Sequence, residues 1–412
     1  MKGVLVVLDG LGDLPNKTLD NQTPLEAAET PNLDFLANRG ELGYLYPVKP
    51  GFIPDTDDAI VSMFGNNFTE STRGQLEARG ADIKPTRGDL ALRVNFATID
   101  YLEEGNIIDR RAGRTLTTKE ANVLSKALNQ IKLPREFVFK NTIQHRAVLV
   151  FRGGFSDSIA GNDIIYPKSK SAKKNIYSKV LDDDENSQYT VNILNEFLEK
   201  AHEVLDKHPI NEERRRKGLM PANHLLVRGA GIEPPKLKFY RKWLSVAYVP
   251  VTIGFAKISG MKVFSFKYPS MKKLDVYDNL YKGLKKACKF SIKTLKKNHK
   301  KFDYAYIHIK ETDLPGHDNK PLEKKKMIEH LDKTLFDFLR KFAPKKKIKV
   351  VVTGDHSTPC KLKSHSTDPV PVLLYSADER GPKEKEFNEK EARKGTLGKI
   401  EGKDLLKKIG FV

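Results

Sequence analysis

The sequence has no long apolar run and only two cysteines. No window of about 18 apolar residues lacks a charge, so we expect no membrane-spanning segment. The apolar stretch 3–8 is shorter than a signal peptide requires, ends at Asp9 and precedes no small-residue cleavage site. Cys288 and Cys360 form no CxxC pattern, which argues against a disulfide framework and a cysteine-bound zinc site. Together these absences predict a protein of the reducing cytoplasm.

Acidic residues are outnumbered, with 53 Asp and Glu against 73 Lys and Arg, which gives a net charge of +20. Such an excess fits either a nucleic-acid partner or an anionic small substrate on a lysine-rich protein. The excess lies largely in scattered clusters at 168–174, 214–217, 324–326 and 345–349, each of which is typical of a solvated face. No zinc-finger, RNP-type or basic-zipper pattern accompanies them, so nucleic acid is the less favoured partner.

The order of predicted elements indicates an α/β fold in which both ends of the chain form one domain. Strands are predicted at 3–8, 304–309, 348–353 and 371–375, with helices at 277–295 and 323–342 between them. Such alternation predicts a mainly parallel sheet with helices on both faces. The middle region carries strands at 90–99 and 146–151, helices at 117–129 and 192–205, and a polar surface excursion at 156–187. We predict a discontinuous domain of residues 1–82 and 240–412, and an inserted α+β domain of residues 83–239.

Carboxylate and imidazole side chains follow several of these predicted strands. Because the carboxyl ends of parallel strands share one edge of a sheet, we expect them to converge there. Oxygen and nitrogen donors suit divalent ions, and six donors exceed the needs of one tetrahedral ion, which favours a two-metal site. The six candidates are Asp9, Asp313, His317, Asp355, His356 and His365. Each also has a structural interpretation, as a helix cap, a turn former or a hydrogen-bonded histidine.

A nucleophile and an anion-binding set are also indicated. Thr56 lies at the start of a predicted helix that runs to Gly65, where the helix N-terminus would favour an attached phosphate. On local grounds alone it reads as an N-cap. Arginines beside glycines at 110–114, 152–154 and 228–231 have room for bidentate contacts to phosphate or carboxylate, although any one of them is as consistent with a surface position.

The residues resemble the archaeal cofactor-independent phosphoglycerate mutases, a branch of the alkaline phosphatase superfamily. The matching segments follow in order over nearly the whole chain. They are VVLDGLGD (6–13), TPLEAA (23–28), TPNLD (30–34), RVNFAT (93–98), HRAVL (145–149), PAN (221–223) with RGAG (228–231), KETD (310–313) with GHD (316–318), GDHSTPC (354–360) and KSHSTDPVP (363–371).

This resemblance implies an alkaline-phosphatase-like sheet domain, with an inserted lid domain that closes over 3-phosphoglycerate. It implies two divalent ions, Mn²⁺ first with Mg²⁺, Co²⁺ or Zn²⁺ as alternatives, and no bisphosphoglycerate. One ion would be held by Asp313, His317 and His365, and the other by Asp9, Thr56, Asp355 and His356. Thr56 would carry the phosphoryl group between the two hydroxyls of glycerate.

For glycerate the resemblance implies Asp109 and Arg110, with Arg114, Arg152, Arg228 and Lys310 as further substrate-binding candidates. The sequence departs from the family after Ala59, where Ile60 stands in place of the usual histidine. The alternatives are another enzyme on the same scaffold, namely a metal-dependent phosphomonoesterase, another phosphomutase or a nucleotide pyrophosphatase, and a non-enzymatic nucleic-acid-associated protein. The sequence leaves the oligomeric state open.

Overall fold

The computed structural model of this chain describes residues 1–68, 73–102, 105–163, 176–271, 274–377 and 386–412. The predicted lysine cluster at 168–174 lies outside the described residues, as do all of residues 164–175 in the predicted surface excursion 156–187. No helix in the described ranges is long and apolar enough to cross a membrane.

The larger sheet joins the two ends of the chain. Its strands within the described ranges are, in spatial order, β11 (Lys262–Phe264), β10 (Trp243–Val246), β12 (Tyr304–Ile309), β1 (Gly3–Leu8), β13 (Lys349–Gly354), β14 (Val370–Tyr375), β2 (Gly40–Tyr46) and β15 (Gly398–Glu401). Neighbouring strands are parallel except at β14, which runs antiparallel to β13 and to β2. The predicted mainly parallel sheet is therefore confirmed.

The central strands of this sheet end at the same level. Leu8, the last residue of β1, lies opposite Ile309 of β12 and Gly354 of β13. The residues that follow, Asp9, Lys310 and Asp355, therefore emerge side by side. Because β14 runs in the opposite direction, the loop before it, which carries His365, reaches the same edge. Strand β1 is buried along its whole length, as expected for a strand whose two faces are both covered.

The helices of this part of the chain pack in two groups, and the members of each group contact one another. The first consists of α1 (Pro31–Ala37), α8 (Val276–Asn298), α10 (Pro321–Leu331), a π-helical segment (Asp332–Phe336) and α11 (Asp337–Lys346). The second consists of α2 (Thr56–Met63), α3 (Arg73–Gly80) and α7 (Pro250–Ile258). Shorter helices are α9 (Asp313–His317), α12 (Glu389–Lys394) and α13 (Leu405–Lys408).

The smaller sheet is built from the middle of the chain and is antiparallel throughout. Its described strands are β4 (Ile107–Asp109), β3 (Leu90–Ile99), β6 (Arg146–Phe151), β5 (Phe137–Asn141) and β9 (His224–Gly231). Helices α4 (Thr118–Leu128), α5 (Glu185–Asp206) and α6 (Pro209–Arg216) accompany it, and a hairpin pairs β7 (Ile159–Ala160) with β8 (Lys179–Val180). The hydrophobic core of this region is separate from that of the larger sheet. The domain boundaries given above stay a prediction.

Three predicted elements differ from the observed ones. The pattern Thr23-Pro24-Leu25-Glu26 predicts the start of a helix, but a single turn forms: Thr23 and Glu26 exchange the hydrogen bonds of a capping box and no further turn follows. The helix predicted at 192–205 begins earlier, at Glu185, because Asp184 accepts from two amide groups of its first turn. The helix predicted at 323–342 is interrupted by the π-helical segment. At its start, the buried Asp332 accepts from Asn32 and Leu33 of α1.

Helix α3 ties the smaller sheet to the larger one through close backbone packing. It contacts strand β3 on one side and helix α7 on the other. A Cβ atom placed on Gly254 of α7 would lie 1.8 Å from the carbonyl oxygen of Leu76, and one on Gly80 would lie 1.8 Å from that of Pro250. Only glycine permits this approach, so these two positions fix how α3 and α7 meet.

We predict that Gly254→Ala destabilises the protein. Helix propensity alone would favour alanine by up to about 1 kcal/mol. Overpacking of this kind typically costs about 1–3 kcal/mol, and here the new atom meets a backbone oxygen rather than a flexible side chain. Urea denaturation should show a lower free energy of unfolding for the variant. A higher one would mean that the interface has room for a methyl group.

Candidate active site

The carboxyl edge of the larger sheet gathers the predicted metal ligands. Asp9, Asp355 and His356 are fully buried there. His356 Nε2 lies 3.3 Å from Asp9 Oδ1 and 3.6 Å from Asp355 Oδ2. On the adjoining side, His317 Nε2 and His365 Nε2 lie 3.4 and 3.7 Å from Asp313 Oδ1. The structure therefore brings together all six carboxylates and imidazoles that the sequence singled out.

These donors form overlapping triads. In each triad one ligand atom per residue lies within 4.8 Å of the others. The triads among the described residues are Asp313, His317 and His365; Asp9, Asp313 and His356; and Asp9, His308 and Asp355. Asp9 Oδ1, Asp355 Oδ2 and His356 Nε2 are buried without a hydrogen-bond partner. Buried polar atoms normally have partners, so these orphaned atoms fit a bound cation.

The carboxylates of Asp9, Asp313 and Asp355 meet the ammonium group of Lys310 at this edge. Lys310 Nζ lies 2.6 Å from Asp9 Oδ2 and 3.1 Å from Asp313 Oδ2. Burial is the largest single influence on Asp9 and opposes its ionisation, but the Lys310 ammonium together with His308 and His356 holds the pKa of Asp9 well below its usual value. Burial and the neighbouring charge of Asp9 raise the pKa of Asp355. Burial works against protonation of His356, yet Asp355 and Asp9 raise its pKa to about 9. The edge thus attracts positive charge.

His308 belongs to this cluster although the sequence analysis did not select it. Its Nε2 lies 3.3 Å from Asp9 Oδ2, and its Nδ1 lies 2.7 Å from the Tyr306 hydroxyl. The residue sits inside β12, flanked by apolar neighbours, rather than after the strand. The signal that could have found it is the alternation of side chains in the run 304–309, which places His308 on the same face as Tyr306.

Thr56 is the first residue of α2 and is almost entirely buried. The N-cap is Asp55, whose carboxylate takes part in a capping box with Asp58, so the local interpretation of Thr56 as an N-cap was wrong. Thr56 lines the same cleft as Asp313, His317 and His365. Ile60, which stands where a histidine was expected, is fully buried in the core of the larger sheet and does not line the cleft.

The cleft has a volume of about 490 Å³ and lies between the two sheets. One wall carries Thr56 and three of the donors, Asp313, His317 and His365. The other wall carries arginines from the smaller sheet and its loops: Arg93, Arg110, Arg111, Arg114, Arg146 and Arg228. Arg73 of α3, Lys310 and Lys363 complete the basic lining. Arg111 belongs to the arginine segment 110–114 that the sequence indicated. Arg73, Arg93 and Arg146 were not selected as anion-binding residues, although Arg93 and Arg146 lie in the segments RVNFAT and HRAVL and Arg73 precedes Gly74.

The predicted substrate residues occupy different positions. Arg228 forms an ion pair with Asp55, and Arg114 with Asp318, so both pairs cross from the smaller-sheet wall to the opposite wall. Arg110 Nε donates to Asp163 at 2.8 Å. Asp109 lines the cleft, but its Oδ1 accepts from the backbone amides of Arg111 and Gly113 and so shapes the turn that carries the arginines.

Arg152 is the predicted substrate-binding residue that the structure does not bring to the cleft. Its guanidinium lies 2.6 Å from Asp89 and does not line the cavity. The reason is topological: Arg152 follows the end of β6, whereas Arg146, which does line the cleft, lies at its start. The glycine-flanked pattern that selected Arg152 therefore marks a turn at the far end of the strand.

The fold and the donor-lined edge define a metalloenzyme. Residues 251–411 match the family model described as the metalloenzyme superfamily, and residues 37–211 match that of 2,3-bisphosphoglycerate-independent phosphoglycerate mutase.

Relatives carrying the name of that mutase match over nearly the whole chain. The Thermococcus kodakarensis protein is 40% identical, over 98% of this chain and 95% of its own, and that of Archaeoglobus fulgidus is 38% identical, over 98% and 96%. A solved Pyrococcus horikoshii protein has a TM-score of 0.74 at 32% identity and covers 100% of this chain and 98% of its own. The Thermoplasma acidophilum cofactor-independent phosphoglycerate mutase has a TM-score of 0.56 at 28% identity, covering 99% and 98%. The chain belongs to the family of 2,3-bisphosphoglycerate-independent phosphoglycerate mutases.

We predict that Arg93→Met stabilises the ligand-free protein and weakens anion binding. Burial, and then the charges of Arg73 and Arg228, lower the pKa of Arg93, so its positive charge is held less favourably in the folded than in the unfolded chain. Its Nε has no hydrogen-bond partner, and Glu77 at 3.9 Å stays paired with Arg73.

The measurement is urea denaturation with and without 3-phosphoglycerate. Without 3-phosphoglycerate, the variant should unfold at a higher urea concentration than the wild type. With 3-phosphoglycerate, it should gain less stability than the wild type does. Arg87→Met, at an exposed arginine paired with Glu233, is the control and should change neither value. An Arg93 variant that is less stable alone would show that the guanidinium contributes to the fold.

Proposed function

We propose that this protein interconverts 3-phosphoglycerate and 2-phosphoglycerate through a phosphothreonine at Thr56, beside two divalent ions. The observation that carries the proposal is the pairing of walls across one cleft. Thr56, at a helix start, shares one wall with carboxylates and imidazoles, and the other wall presents guanidinium groups to an anion. A phosphorylated carboxylic acid, with two anionic ends, matches both walls.

The donor set fits metal ions of the Mn²⁺ type, with Mg²⁺, Co²⁺ or Zn²⁺ as alternatives. One ion would be held by Asp313, His317 and His365, which form one of the triads. The other would be held by Asp9, Asp355, His356 and the Thr56 hydroxyl. The orphaned oxygen and nitrogen atoms of Asp9, Asp355 and His356 support this assignment. When bound, such ions lower the pKa of a hydroxyl and neutralise phosphate charge.

The chemistry needs no second phosphorylated compound. The Thr56 oxygen attacks phosphorus and loses its proton, while the bond between phosphorus and the C3 oxygen breaks and that oxygen gains a proton. Glycerate and phosphothreonine result. The C2 hydroxyl then attacks the same phosphorus and loses its proton, and the Thr56 oxygen is released and reprotonated. The product is 2-phosphoglycerate, and bisphosphoglycerate takes no part.

Glycerate must stay in the cleft, and water must stay out, between the two transfers. The arginine wall provides the means, because Arg110, Arg111 and Arg146 can hold the glycerate carboxylate while its hydroxyls exchange places. The ion pairs of Arg228 with Asp55 and of Arg114 with Asp318 connect the two walls. Lys310, between Asp9 and Asp313, is placed to neutralise a phosphoryl oxygen.

We expect Thr56→Ala to abolish mutase activity without loss of stability, since the side chain forms no part of the helix cap. Thr56→Ser, which keeps a hydroxyl, should retain activity. The assay mixes protein, Mn²⁺ and 3-phosphoglycerate and follows 2-phosphoglycerate; acid-quenched wild type should also carry phosphate on Thr56. Turnover by the alanine variant at the wild-type rate would place the nucleophile elsewhere.

The same assay separates the alternative enzymes on this scaffold. A metal-dependent phosphomonoesterase would release inorganic phosphate from 3-phosphoglycerate and form no 2-phosphoglycerate. Another phosphomutase would leave 3-phosphoglycerate unchanged.

Metal binding should strengthen as the pH rises toward 9. Asp355 and Asp9 raise the pKa of His356 to about 9, so the metal-free imidazole is protonated at pH 7, and an ion must displace a proton to bind its Nε2. The displacement costs about a factor of ten in affinity for each pH unit below that pKa.

Titration calorimetry with Mn²⁺ in two buffers of different ionisation enthalpy measures the protons released. About one proton per protein should be released from His356 near pH 7.5. Asp355→Asn removes one of the charges that hold this proton, so it should release fewer protons and bind the ion more weakly. Affinity that does not change between pH 6.5 and 8.5 would contradict the assignment.

We further propose a cytoplasmic location, in support of which both cysteines are free and buried. A small-molecule substrate accounts for the basic cleft, so no nucleic-acid partner is needed to explain it.

A further inference from the structure

The hydroxyl group of Thr358 lies between two predicted metal ligands that belong to different ions. Thr358 is fully buried in the loop after β13. Its Oγ1 lies 3.0 Å from His356 Nδ1 and 2.9 Å from Asp313 Oδ1. The sequence motif GDHSTPC contains this residue, but neither the predicted ligand set nor the proposed mechanism uses it.

The direction of these two hydrogen bonds follows from the groups involved. Carboxylate oxygens accept, and Thr358 Oγ1 lies 2.9 Å from Asp313 Oδ1 as the donor. The single Thr358 proton is therefore donated to Asp313. The oxygen then accepts from His356, which must keep its proton on Nδ1. When His356 is neutral, its lone pair is therefore on Nε2, the atom that faces Asp9.

The other two histidines among the predicted ligands follow the same rule with simpler partners. His317 Nδ1 lies 3.1 Å from the carbonyl oxygen of Lys363, and His365 Nδ1 lies 2.8 Å from that of Pro54. Carbonyl oxygens only accept, so both rings carry the proton on Nδ1 and turn Nε2 to the site. His356 differs because its acceptor is a side chain that is bonded in turn to a ligand of the other ion.

The surroundings hold Thr358 in place. The buried Lys324 ammonium donates to the carbonyl oxygen of Thr358 at 3.1 Å and to Asp13 at 2.8 Å. A Cβ on Gly316 would lie 2.3 Å from that carbonyl oxygen, and one on Gly10 would lie 2.7 Å from Thr358 Oγ1. Gly10 also has a φ of +64°, which favours glycine. Two glycines and a buried ion pair thus leave the hydroxyl little freedom to turn away.

We propose that Thr358 is a positioning residue that couples the two ion sites: its hydroxyl fixes His356 for one ion and Asp313 for the other. The inference rests on the proposed two-ion function. Hydrogen-bond partners of metal ligands typically contribute about 10–100-fold to metal affinity. Because one hydroxyl serves a ligand of each ion, its removal should weaken both ions, whereas a partner of one ligand would affect one.

The test compares Mn²⁺ affinity in four metal-stripped variants, measured by calorimetry together with the electron paramagnetic resonance of free Mn²⁺. Thr358→Val keeps the shape and removes the hydroxyl, and should weaken both Mn²⁺ sites by about 10–100-fold. Thr358→Ser keeps the hydroxyl and should bind close to wild type. Thr358→Ala lacks both groups and should resemble the valine variant. Thr334→Val, at a hydroxyl that donates to the carbonyl oxygen of His330 in the helical layer, should bind like wild type.

The test stays decisive even if the Thr358→Val variant does not fold. Serine and alanine both lack the methyl group and differ only in the hydroxyl, so their comparison carries the result alone. Equal affinity in the serine and alanine variants, or a loss confined to one of the two sites, would overturn the coupling role of Thr358. Absence of Mn²⁺ binding by the wild type would instead overturn the two-ion proposal, a result that the variants do not affect.

Discussion

The site depends on the register of three parallel strands, which end opposite one another. Leu8, Ile309 and Gly354 stand opposite one another at the ends of β1, β12 and β13. A shift of one residue in either pairing would move Asp9, Lys310 or Asp355 along the edge and turn its side chain to the other face of the sheet. Burial of all three strands on both faces fixes that register, because any slip would bring the polar residues into the core. The hydrophobic packing of the sheet is therefore what places the charges.

Some of the charges held in this cleft oppose stability. Burial raises the pKa of Asp355, and burial with neighbouring arginines lowers the pKa of Arg93, so each group is charged less readily than in water. His356 is the opposite case, because Asp355 and Asp9 raise its pKa to about 9 and so stabilise its protonated form. The two walls compensate in part through the ion pairs of Arg228 with Asp55 and of Arg114 with Asp318. Cations bound at one wall and an anionic substrate bound at the other would offset the charges that remain uncompensated, so ligand binding would stabilise the cleft.

Hydroxyl groups and backbone carbonyls orient the imidazoles of this site. Tyr306 lies against His308, Thr358 against His356, and backbone oxygens against His317 and His365. These partners come from different parts of the chain, and glycines at positions 10 and 316 make room for one of them. The orientation of each imidazole is thus fixed by a neutral partner at its Nδ1 atom.

By itself the sequence determined the mainly parallel sheet and its strands at 3–8 and 304–309, because these follow from local periodicity. It also singled out six donors, because parallel strands end at one edge of a sheet: Asp9, Asp313, His317, Asp355, His356 and His365. It also selected Thr56. Only the tertiary structure decided which arginines face the cleft, since Arg146 begins β6 and lines the cleft, whereas Arg152 follows the other end of the strand and does not. The same holds for His308 and Thr358, whose roles arise from contacts with residues distant in the chain. Local sequence patterns report which face of an element is buried, whereas the partner across a cleft is set by how elements far apart in the chain pack together.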